Sequence, residues 1–322
     1  MKKGWLIIVV VALVAGILTF PRPAGAPTPL QHIVNRLSPK QEPVVIGFGG
    51  DLMFDRYIRQ KAELLGYDAI LAPLAPLFSS HDVVVANLEG SVTTFESVSQ
   101  GSKPLEQNNY VFTFSPKTVE ALTSANIGVL SLANNHVFNF GNPGLSQTKQ
   151  HLSDVGLSYF GEPFAQTHHI QDIRGTRIGF VGFNEFFPPG KDDVVATIRS
   201  LATTTDFVVV FTHWGYEYTN EPNEYQKALA REFIDAGADF IVGGHPHVIQ
   251  TRETYNGKDI YYSLGNLVFD QYWNDNVRCG LFVTLSINPE DFSYTTKETT
   301  VYLEKDGTTI QKECGNERVS AL

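Results

Sequence analysis

Cysteine, charge and internal repetition are all scarce in this 322-residue chain. Its two cysteines, Cys279 and Cys314, are too far apart in sequence for a thiolate metal motif and too few for a disulfide scaffold, although outside the cytoplasm they could form one disulfide. Charged residues make up 18% of the chain and its net charge is −10, which argues against nucleic acid as a partner because the phosphates would be repelled. No internal repeat is visible. The 43% of hydrophobic residues indicates a globular protein with a substantial core.

An apolar run near the N-terminus is shorter than a full membrane span. Trp5–Phe20 has 16 uncharged residues, against the ~20 that a span needs, and it follows Lys2 and Lys3. This is the pattern of a secretory signal or a short membrane anchor, and the positive-inside rule places the rest of the chain outside the cytoplasm, either membrane-bound or secreted. Ala24–Ala26 could be a cleavage site, so a retained anchor and a cleaved signal both stay open. We expect three segments: a signal or anchor over 1–20, a Pro-rich tether over 21–42 and a folded domain over 43–322.

Short apolar runs that end in turn residues predict buried strands, and they alternate with segments of helical periodicity. The clearest helix begins after an Asn223 cap and ends at Ala236. The alternation predicts an α/β fold, and a hairpin over Val248–Glu253 and Asp259–Ser263 makes its sheets mixed. Ser91–Asn109 is polar and predicts a surface loop beside the site. The five expected core strands are 44–50, 82–86, 127–132, 207–212 and 239–242.

Each core strand is followed by a carboxylate, amide or imidazole. The stretch ADFIVGGHPHVIQ (238–250) shows this most clearly, because an apolar strand passes through Gly-Gly into His245 and His247. Ligands of open α/β sheets bind beyond the carboxyl ends of strands, and zinc, manganese or iron is the usual partner of two imidazoles on one loop. Each residue alone could be a cap, a solvated charge or a hydrogen-bonded loop histidine. Their repetition at one edge predicts a metal site formed by Asp51, Glu89, Asn135 with His136, His213, His245 and His247.

Six stretches carry a resemblance to a known family: GGDLMFDR (49–56), ANLEG (86–90), SLANNHVFNFG (131–141), FTHWGYEY (211–218), GADFIVGGHPHVIQ (237–250) and YYSLGNLVFDQ (261–271). In this order they resemble the calcineurin-like metallophosphoesterases, and most closely the bacterial capsule-synthesis CapA branch, also called the poly-γ-glutamate synthesis family. The resemblance implies a four-layer α/β/β/α metallophosphatase-like sandwich with mixed sheets. It also implies a divalent-metal cofactor, one or two ions of zinc, manganese or iron.

The resemblance also assigns roles to single residues. It places Glu89 where the phosphoesterases have a bridging aspartate, and His136 where they have a catalytic histidine that steadies the transition state or the leaving group. Asn266 and Asp270, which are typical of the CapA branch, are expected to hydrogen-bond within a buried turn. The positions that bind metal in the phosphoesterases correspond to Asp51, Glu89, Asn135, His213, His245 and His247.

Two positions depart from the phosphoesterase pattern. Met53 stands where these enzymes have a metal-binding histidine, and a thioether is a poor ligand for such ions. Val137 stands where many of them have the acidic residue that orients the catalytic histidine. Both changes weaken the prediction of a two-metal phosphatase.

Three functions follow from these observations. The first is metal-assisted hydrolysis of a phosphoester, with Arg56 either binding an anionic substrate or simply solvated on a helix. The second is a non-catalytic subunit of a capsule export complex that binds the capsule polymer or polymer-synthase subunits and is held to the membrane by its N-terminal segment. The third is a cell-envelope hydrolase unrelated to capsule. Ligand-type residues at every strand end favour retained metal chemistry.

Overall fold

Two large mixed sheets dominate residues 42–314, the part of the chain that the computed structural model describes. The predicted signal or anchor, most of the predicted tether and residues 315–322 lie outside this range. Within it, no helix combines the length and the apolar character needed to cross a membrane.

The first sheet has eight strands: β1 Val44–Leu52, β2 Val83–Leu88, β5 Ile127–Ser131, β6 Ser158–Phe160, β13 Asn266–Val268, β14 Cys279–Ile287, β15 Tyr294–Leu303 and β16 Thr309–Gln311. Their order is β16-β15-β14-β1-β2-β5-β6, and β13 pairs with the end of β1. Strands β1, β2, β5 and β6 run parallel, whereas β14, β15 and β16 add antiparallel neighbours.

The second sheet has six strands: β7 His168–Ile173, β8 Thr176–Asn184, β9 Phe207–His213, β10 Phe240–Gly244, β11 Arg252–Tyr255 and β12 Lys258–Tyr261. Their order is β11-β12-β10-β9-β8-β7, with parallel pairing from β12 to β8 and an antiparallel strand at each edge. A separate parallel pair joins β3 Ser91–Val92 to β4 Thr113–Phe114.

Helices cover the outer face of each sheet. The described α-helices are α1 Arg56–Leu65, α2 Tyr67–Leu71, α3 Ala75–Phe78, α4 Lys117–Ser124, α5 Gly141–Asp154, α6 Lys191–Leu201, α7 Glu224–Ala236 and α8 Asp275–Arg278. Two 3₁₀ turns lie at Ala72–Leu74 and Gln107–Tyr110. The predicted cap of α7 is present, because the Asn223 side chain accepts the Gln226 N–H and the Gln226 side chain accepts the Asn223 N–H in return.

Three apolar clusters divide the described domain into four layers. One lies between the sheets and joins residues such as Phe48 and Val85 to Phe180 and Val209. A second packs the first sheet against α1 to α5, and a third packs the second sheet against α6 and α7. Both faces of the central strands are therefore buried, which explains why β2 and β9 read as continuous apolar runs rather than alternating ones.

Two local expectations from the sequence are wrong. The strand expected from Val248 begins only at Arg252. The Val248 carbonyl accepts a hydrogen bond from the Ser263 side chain, whose Oγ donates to it at 2.7 Å, instead of one from a neighbouring strand. The segment 91–109 is not all surface loop, since Ser91–Val92 forms buried β3 under α5, where the Val92 N–H donates to Thr148 Oγ1 at 2.9 Å.

Candidate metal centre

The carboxyl ends of the parallel strands in both sheets meet at one point. Asp51 lies near the end of β1, His213 ends β9, and Gly244 ends β10 directly before His245. The sheets touch so closely here that a Cβ on Gly244 would lie 2.3 Å from Asp51 Oδ1. A side chain at position 244 would displace the carboxylate, so glycine is required for contact between the two sheets.

The loop after Gly244 turns two histidines toward this point. His245 has φ 90° and His247 has φ 56°, a left-handed backbone that costs a non-glycine residue roughly 1–3 kcal/mol. The His245 N–H donates to Asp51 Oδ2 at 3.0 Å, which ties the loop of the second sheet to β1 of the first. Strained histidines where glycine would be easier indicate that the imidazoles are needed there.

Asp51 is completely buried and is held by donors from both sheets. Asn87 Nδ2 donates to its Oδ1 at 2.8 Å, and His247 Nδ1 lies 3.3 Å from its Oδ2. Burial by itself raises the pKa of this carboxyl, but the hydrogen bonds from His247 and from the Asn87 amide outweigh burial, and the pKa lies below its ordinary value. Asp51 is therefore an ionised, well-supported carboxylate.

Glu89 is equally buried but has no such support. Neither carboxylate oxygen has a hydrogen-bond partner among residues 42–314, and the nearest ring nitrogens, His136 Nε2 and His247 Nε2, each lie 3.7 Å from Oε1. Burial, followed by repulsion from Asp51 and Glu217, raises its pKa well above the ordinary value. Burying a carboxylate without partners is expensive, so these two oxygens point to a cation as their missing partner.

The imidazole and amide ligand candidates lie beside Glu89. His213 Nε2 is 2.9 Å from Asn135 Oδ1. Two atoms bound to one ion at right angles, each about 2.1 Å from it, would be about 3 Å apart, so this spacing is compatible with a shared ion. His245 Nδ1 is buried and unpartnered within the described residues. An oxygen of Asp51, an oxygen of Glu89 and a nitrogen of His213 all lie within 4.8 Å of one another. This mixed nitrogen and oxygen set fits zinc, manganese or iron.

Two histidines of the centre, His213 and His245, are kept neutral by their surroundings. Burial, with His247 nearby, lowers the pKa of His245 to about 3, and burial, with His245 nearby, holds the pKa of His213 well below its ordinary value. A neutral imidazole offers a lone pair, which is the form that binds a metal ion.

His136 lies next to Glu89, and an amide rather than the absent carboxylate orients it. Its Nδ1 is 3.0 Å from Asn139 Oδ1, which also accepts the Phe112 N–H at 2.7 Å and is thereby fixed as the acceptor. The proton therefore lies on Nδ1, and the Nε2 lone pair faces Glu89. Burial, partly offset by the bond to Asn139, lowers the pKa of His136 to about 4.

Arg56 borders the centre but is already paired. Its guanidinium forms an ion pair with Asp270, donates to Asn109 Oδ1 at 3.0 Å and lies 5.0 Å from the centroid of the Phe112 ring. Asp270 also accepts the Tyr57 N–H at 3.2 Å. A substrate anion would have to share Arg56 with Asp270, so the sequence-based prediction that it binds substrate stays a prediction.

The sequence did not predict the roles that several residues have in the centre. Asn266 Oδ1 lies 3.0 Å from His247 Nδ1 and so directs the opposite nitrogen toward Glu89, which is a positioning role rather than the turn bond alone. Asn134 Nδ2 donates to Asn87 Oδ1 at 3.0 Å and continues the support of Asp51. Glu217, with His245 and His247, forms a second group of ligand atoms within 4.8 Å of one another. Asn87 in ANLEG (86–90) and Asn134 in ANNH (133–136) could have been found as polar residues at the ends of apolar strands.

Comparison with known proteins adds named relatives. The chain is 37% identical over 246 residues to the PGA biosynthesis protein CapA of Bacillus subtilis (strain 168), which covers 70% of this chain and 63% of that protein. It is 34% identical over 297 residues to the capsule biosynthesis protein CapA of Bacillus anthracis, covering 84% of this chain and 70% of that protein. The chain thus matches somewhat under two thirds of the length of the first relative.

Solved structures share the fold at low sequence identity. A hypothetical protein from Thermus thermophilus has a TM-score of 0.51 at 16% identity, covering 80% of this chain and 99% of its own. A putative 5'-nucleotidase from Staphylococcus aureus has a TM-score of 0.50 at 14% identity, covering 87% of this chain and 56% of its own. The mixed α/β sheets expected from the sequence are confirmed, and these solved structures share the fold.

The family itself is settled by a match over most of the described domain. Residues 45–271 match the family described as bacterial capsule synthesis protein PGA_cap, which is more than half of the chain. The six motifs found in the sequence all lie inside this range. The chain belongs to the bacterial capsule synthesis protein family PGA_cap.

Proposed function

We propose that this protein is a divalent-metal-dependent hydrolase that acts in the synthesis of an anionic capsule polymer, of the poly-γ-glutamate type, outside the cytoplasm. The observation that carries the proposal is Glu89, a completely buried carboxylate whose two oxygens lack any partner within the described residues. His245 Nδ1 is another buried atom without a partner in the described residues, and the His245 ring lies 4.7 Å from the His213 ring. The two relatives, named for PGA biosynthesis and capsule biosynthesis, supply the polymer context.

The proposed ligands divide the work by chemistry. Asp51 and Glu89 provide negative charge, Asn135 provides an amide oxygen, and His213, His245 and His247 provide nitrogen lone pairs. When bound, a divalent ion supplies Lewis acidity and lowers the pKa of a water molecule at the site. The buried surroundings of Glu89 and His213 exclude bulk water and strengthen every charge interaction there.

His136 is proposed to accept or hold a proton at its Nε2 atom. Asn139 fixes the Nδ1 proton, so Nε2 is available beside Glu89 on the side where a reacting group would lie. This is the position at which the sequence resemblance expects a residue that steadies the transition state or the leaving group. The Arg56–Asp270 pair would contribute only part of a positive charge to an anionic substrate.

Two features support a location outside the cytoplasm. The predicted signal or anchor over 1–20 precedes the domain, and Cys279 is disulfide-bonded to Cys314, a bond that persists in oxidising compartments. Retention of the anchor, and contact with polymer-synthase subunits, belong to the same proposal.

Metal content tests the proposal directly. The full chain, purified in mild detergent, should hold about one or two equivalents of a transition metal by elemental mass spectrometry, and His213→Ala should lose most of it, because a ligand and its neighbours are disrupted. His168→Ala, which removes an exposed histidine of β7, is the matched control and should keep the parental metal content. A parental protein that is folded yet stays empty after incubation with Zn²⁺, Mn²⁺ or Fe²⁺ would exclude the hydrolase.

A second candidate, a non-catalytic polymer-binding subunit, is favoured by exposed aromatic rings beside the centre. The Tyr218 ring lies 6.1 Å from the His247 ring and 5.4 Å from Trp273, which is 60% exposed, and Tyr216 is 70% exposed. Polymer production in cells that carry His213→Ala separates the two candidates. Production that survives the loss of metal would favour the binding subunit over the hydrolase.

A further inference from the structure

Strand β1 supplies the ligand candidate Asp51, but Met53, two residues later, supplies no ligand. Met53 is completely buried, packs in the cluster between the first sheet and its helices, and its sulfur accepts the Asp55 N–H at 3.0 Å. The nitrogen that the phosphoesterase pattern has at this position is therefore absent, and the thioether is already occupied. A metal at the Asp51 side of the centre would lack one ligand.

Glu217 lies where such a ligand could come from. One of its carboxylate oxygens, one nitrogen of His245 and one nitrogen of His247 all lie within 4.8 Å of one another. An exposed glutamate is ordinarily a solvated surface charge. Glu217 differs in facing two buried imidazoles, one of which carries the unpartnered Nδ1 of His245.

The backbone holds Glu217 against the histidine loop. The segment 214–218 is bonded to that loop at both ends: the Trp214 N–H donates to the Gly244 carbonyl at 3.3 Å, and the Tyr218 N–H donates to the Pro246 carbonyl at 2.8 Å. Between them, the Gly215 N–H donates to Glu185 Oε2 at 2.8 Å. Glu217 thus moves with His245 and His247 rather than as a free loop.

The charges of the centre also call for a cation near Glu217. Two further carboxylates, Asp51 and Glu217, both repel charge on Glu89. Arg56 opposes this repulsion, but its guanidinium is already paired with Asp270. Like charges gathered with so little counter-charge are unfavourable unless an ion lies among them.

We propose that Glu217 is a ligand of the metal centre, which closes on the ion from the solvent side beside His245 and His247 and replaces the nitrogen that position 53 lacks. This inference rests on the proposed metal binding. An oxygen in place of a nitrogen shifts the ligand set toward carboxylate, which suits Mn²⁺ better than an imidazole-rich set does. Glu217 therefore matters more for Mn²⁺ than for Zn²⁺.

The test is titration calorimetry of the full chain in mild detergent, stripped of metal by a chelator, with MnCl₂ and separately with ZnCl₂. Glu217→Gln keeps the shape of the side chain and removes its charge. We expect it to weaken Mn²⁺ binding at least about tenfold, or to remove one equivalent, and to weaken Zn²⁺ binding less. The matched control is Glu221→Gln on the same loop, whose carboxylate accepts the Thr251 hydroxyl at 2.8 Å, and it should stay within about twofold of the parental protein.

Each outcome decides one question. If Glu217→Gln and Glu221→Gln weaken binding equally, or if neither does, Glu217 acts only through its charge or not at all, and this inference is overturned while the proposed metal site stands. If the parental protein binds neither ion, the proposed function and this inference fail together. Thermal unfolding of the metal-free variants should match the parental protein, because Glu217 is exposed, and loss of fold in Glu217→Gln would contradict its assignment as a ligand with no structural role.

Discussion

At the scale of single residues, the described domain treats its buried carboxylates in two ways. Asp51 is surrounded by donors, whereas Glu89 is buried without any partner in the described residues. Natural folds keep an unsupported charge of this kind where function requires it, because the polar group is costly unless a ligand completes it. Both carboxylates are proposed ligands, but only Glu89 depends on an ion for its partner.

A third carboxylate, Asp82, works at the opposite end of β1. Its Oδ2 accepts the Val45 N–H at 2.8 Å, and it forms an ion pair with Arg174 from the turn between β7 and β8. Arg174 also donates to the Pro43 carbonyl at 2.7 Å, so this group ties the first sheet to the second. Burial raises the pKa of Asp82, but the bonds from Arg174 and Val45 outweigh burial and lower it.

We expect Asp82→Asn to lower the free energy of unfolding by about 1 kcal/mol at pH 7, measured by urea denaturation. A depressed pKa contributes stability above the unfolded value of about 3.9, and this contribution is lost as pH falls through the folded value. The difference between the variant and the parental protein should therefore shrink below about pH 4. Glu290→Gln, at an exposed position, controls for net charge, and an unchanged difference at about pH 3 would contradict the assignment.

At the scale of elements, the centre depends on how closely β1 and β10 approach. Gly244 of β10 faces Asp51 of β1, and Gly50 of β1 has the Gly265 carbonyl 1.8 Å from where its Cβ would be. The missing side chain leaves room for the Asp51 carboxylate at Gly244 and for a backbone carbonyl at Gly50. The close approach of the strand ends therefore depends on these glycines as well as on the polar side chains of the centre.

Gly244→Ala tests this contact. Its methyl group would overlap Asp51 Oδ1, so we expect metal content to fall at least about tenfold and the melting temperature to fall by several degrees, as overpacking costs roughly 1–3 kcal/mol. Gly190→Ala is the matched control, because nothing lies within 4 Å of its Cβ position. Parental metal content in Gly244→Ala would show that the sheets can separate without loss of the site.

At the scale of the whole molecule, one covalent bond closes the far edge of the first sheet. Cys279 begins β14 and Cys314 follows β16, so their disulfide spans the edge strands across 35 positions of sequence. The sequence left this pairing open, and the structure decides it. A cross-link over a loop of this length restricts the unfolded chain by about 3 to 4 kcal/mol in the chain-entropy account.

Removal of this bond should therefore be measurable. We expect Cys279→Ser with Cys314→Ser to lower the free energy of unfolding by about 2 to 4 kcal/mol, while metal content stays unchanged because neither cysteine belongs to the proposed ligand set. Addition of a reductant to the parental protein should reproduce the loss and leave the double variant unaffected. Two thiols that react with an alkylating reagent before reduction would show that the bond is not formed.

The local sequence predicts the five core strands, the order of the motifs and the family, since apolar runs and their terminal residues are local features of the chain. It also named Asp51, Glu89 and His213 as neighbours, because parallel strands end at one edge. Three contacts become visible only once the chain is folded: Asn139 orients His136, Met53 turns into the core, and Glu217 faces the histidines. These depend on contacts between segments far apart in sequence and on side-chain directions in irregular loops, which no periodicity records.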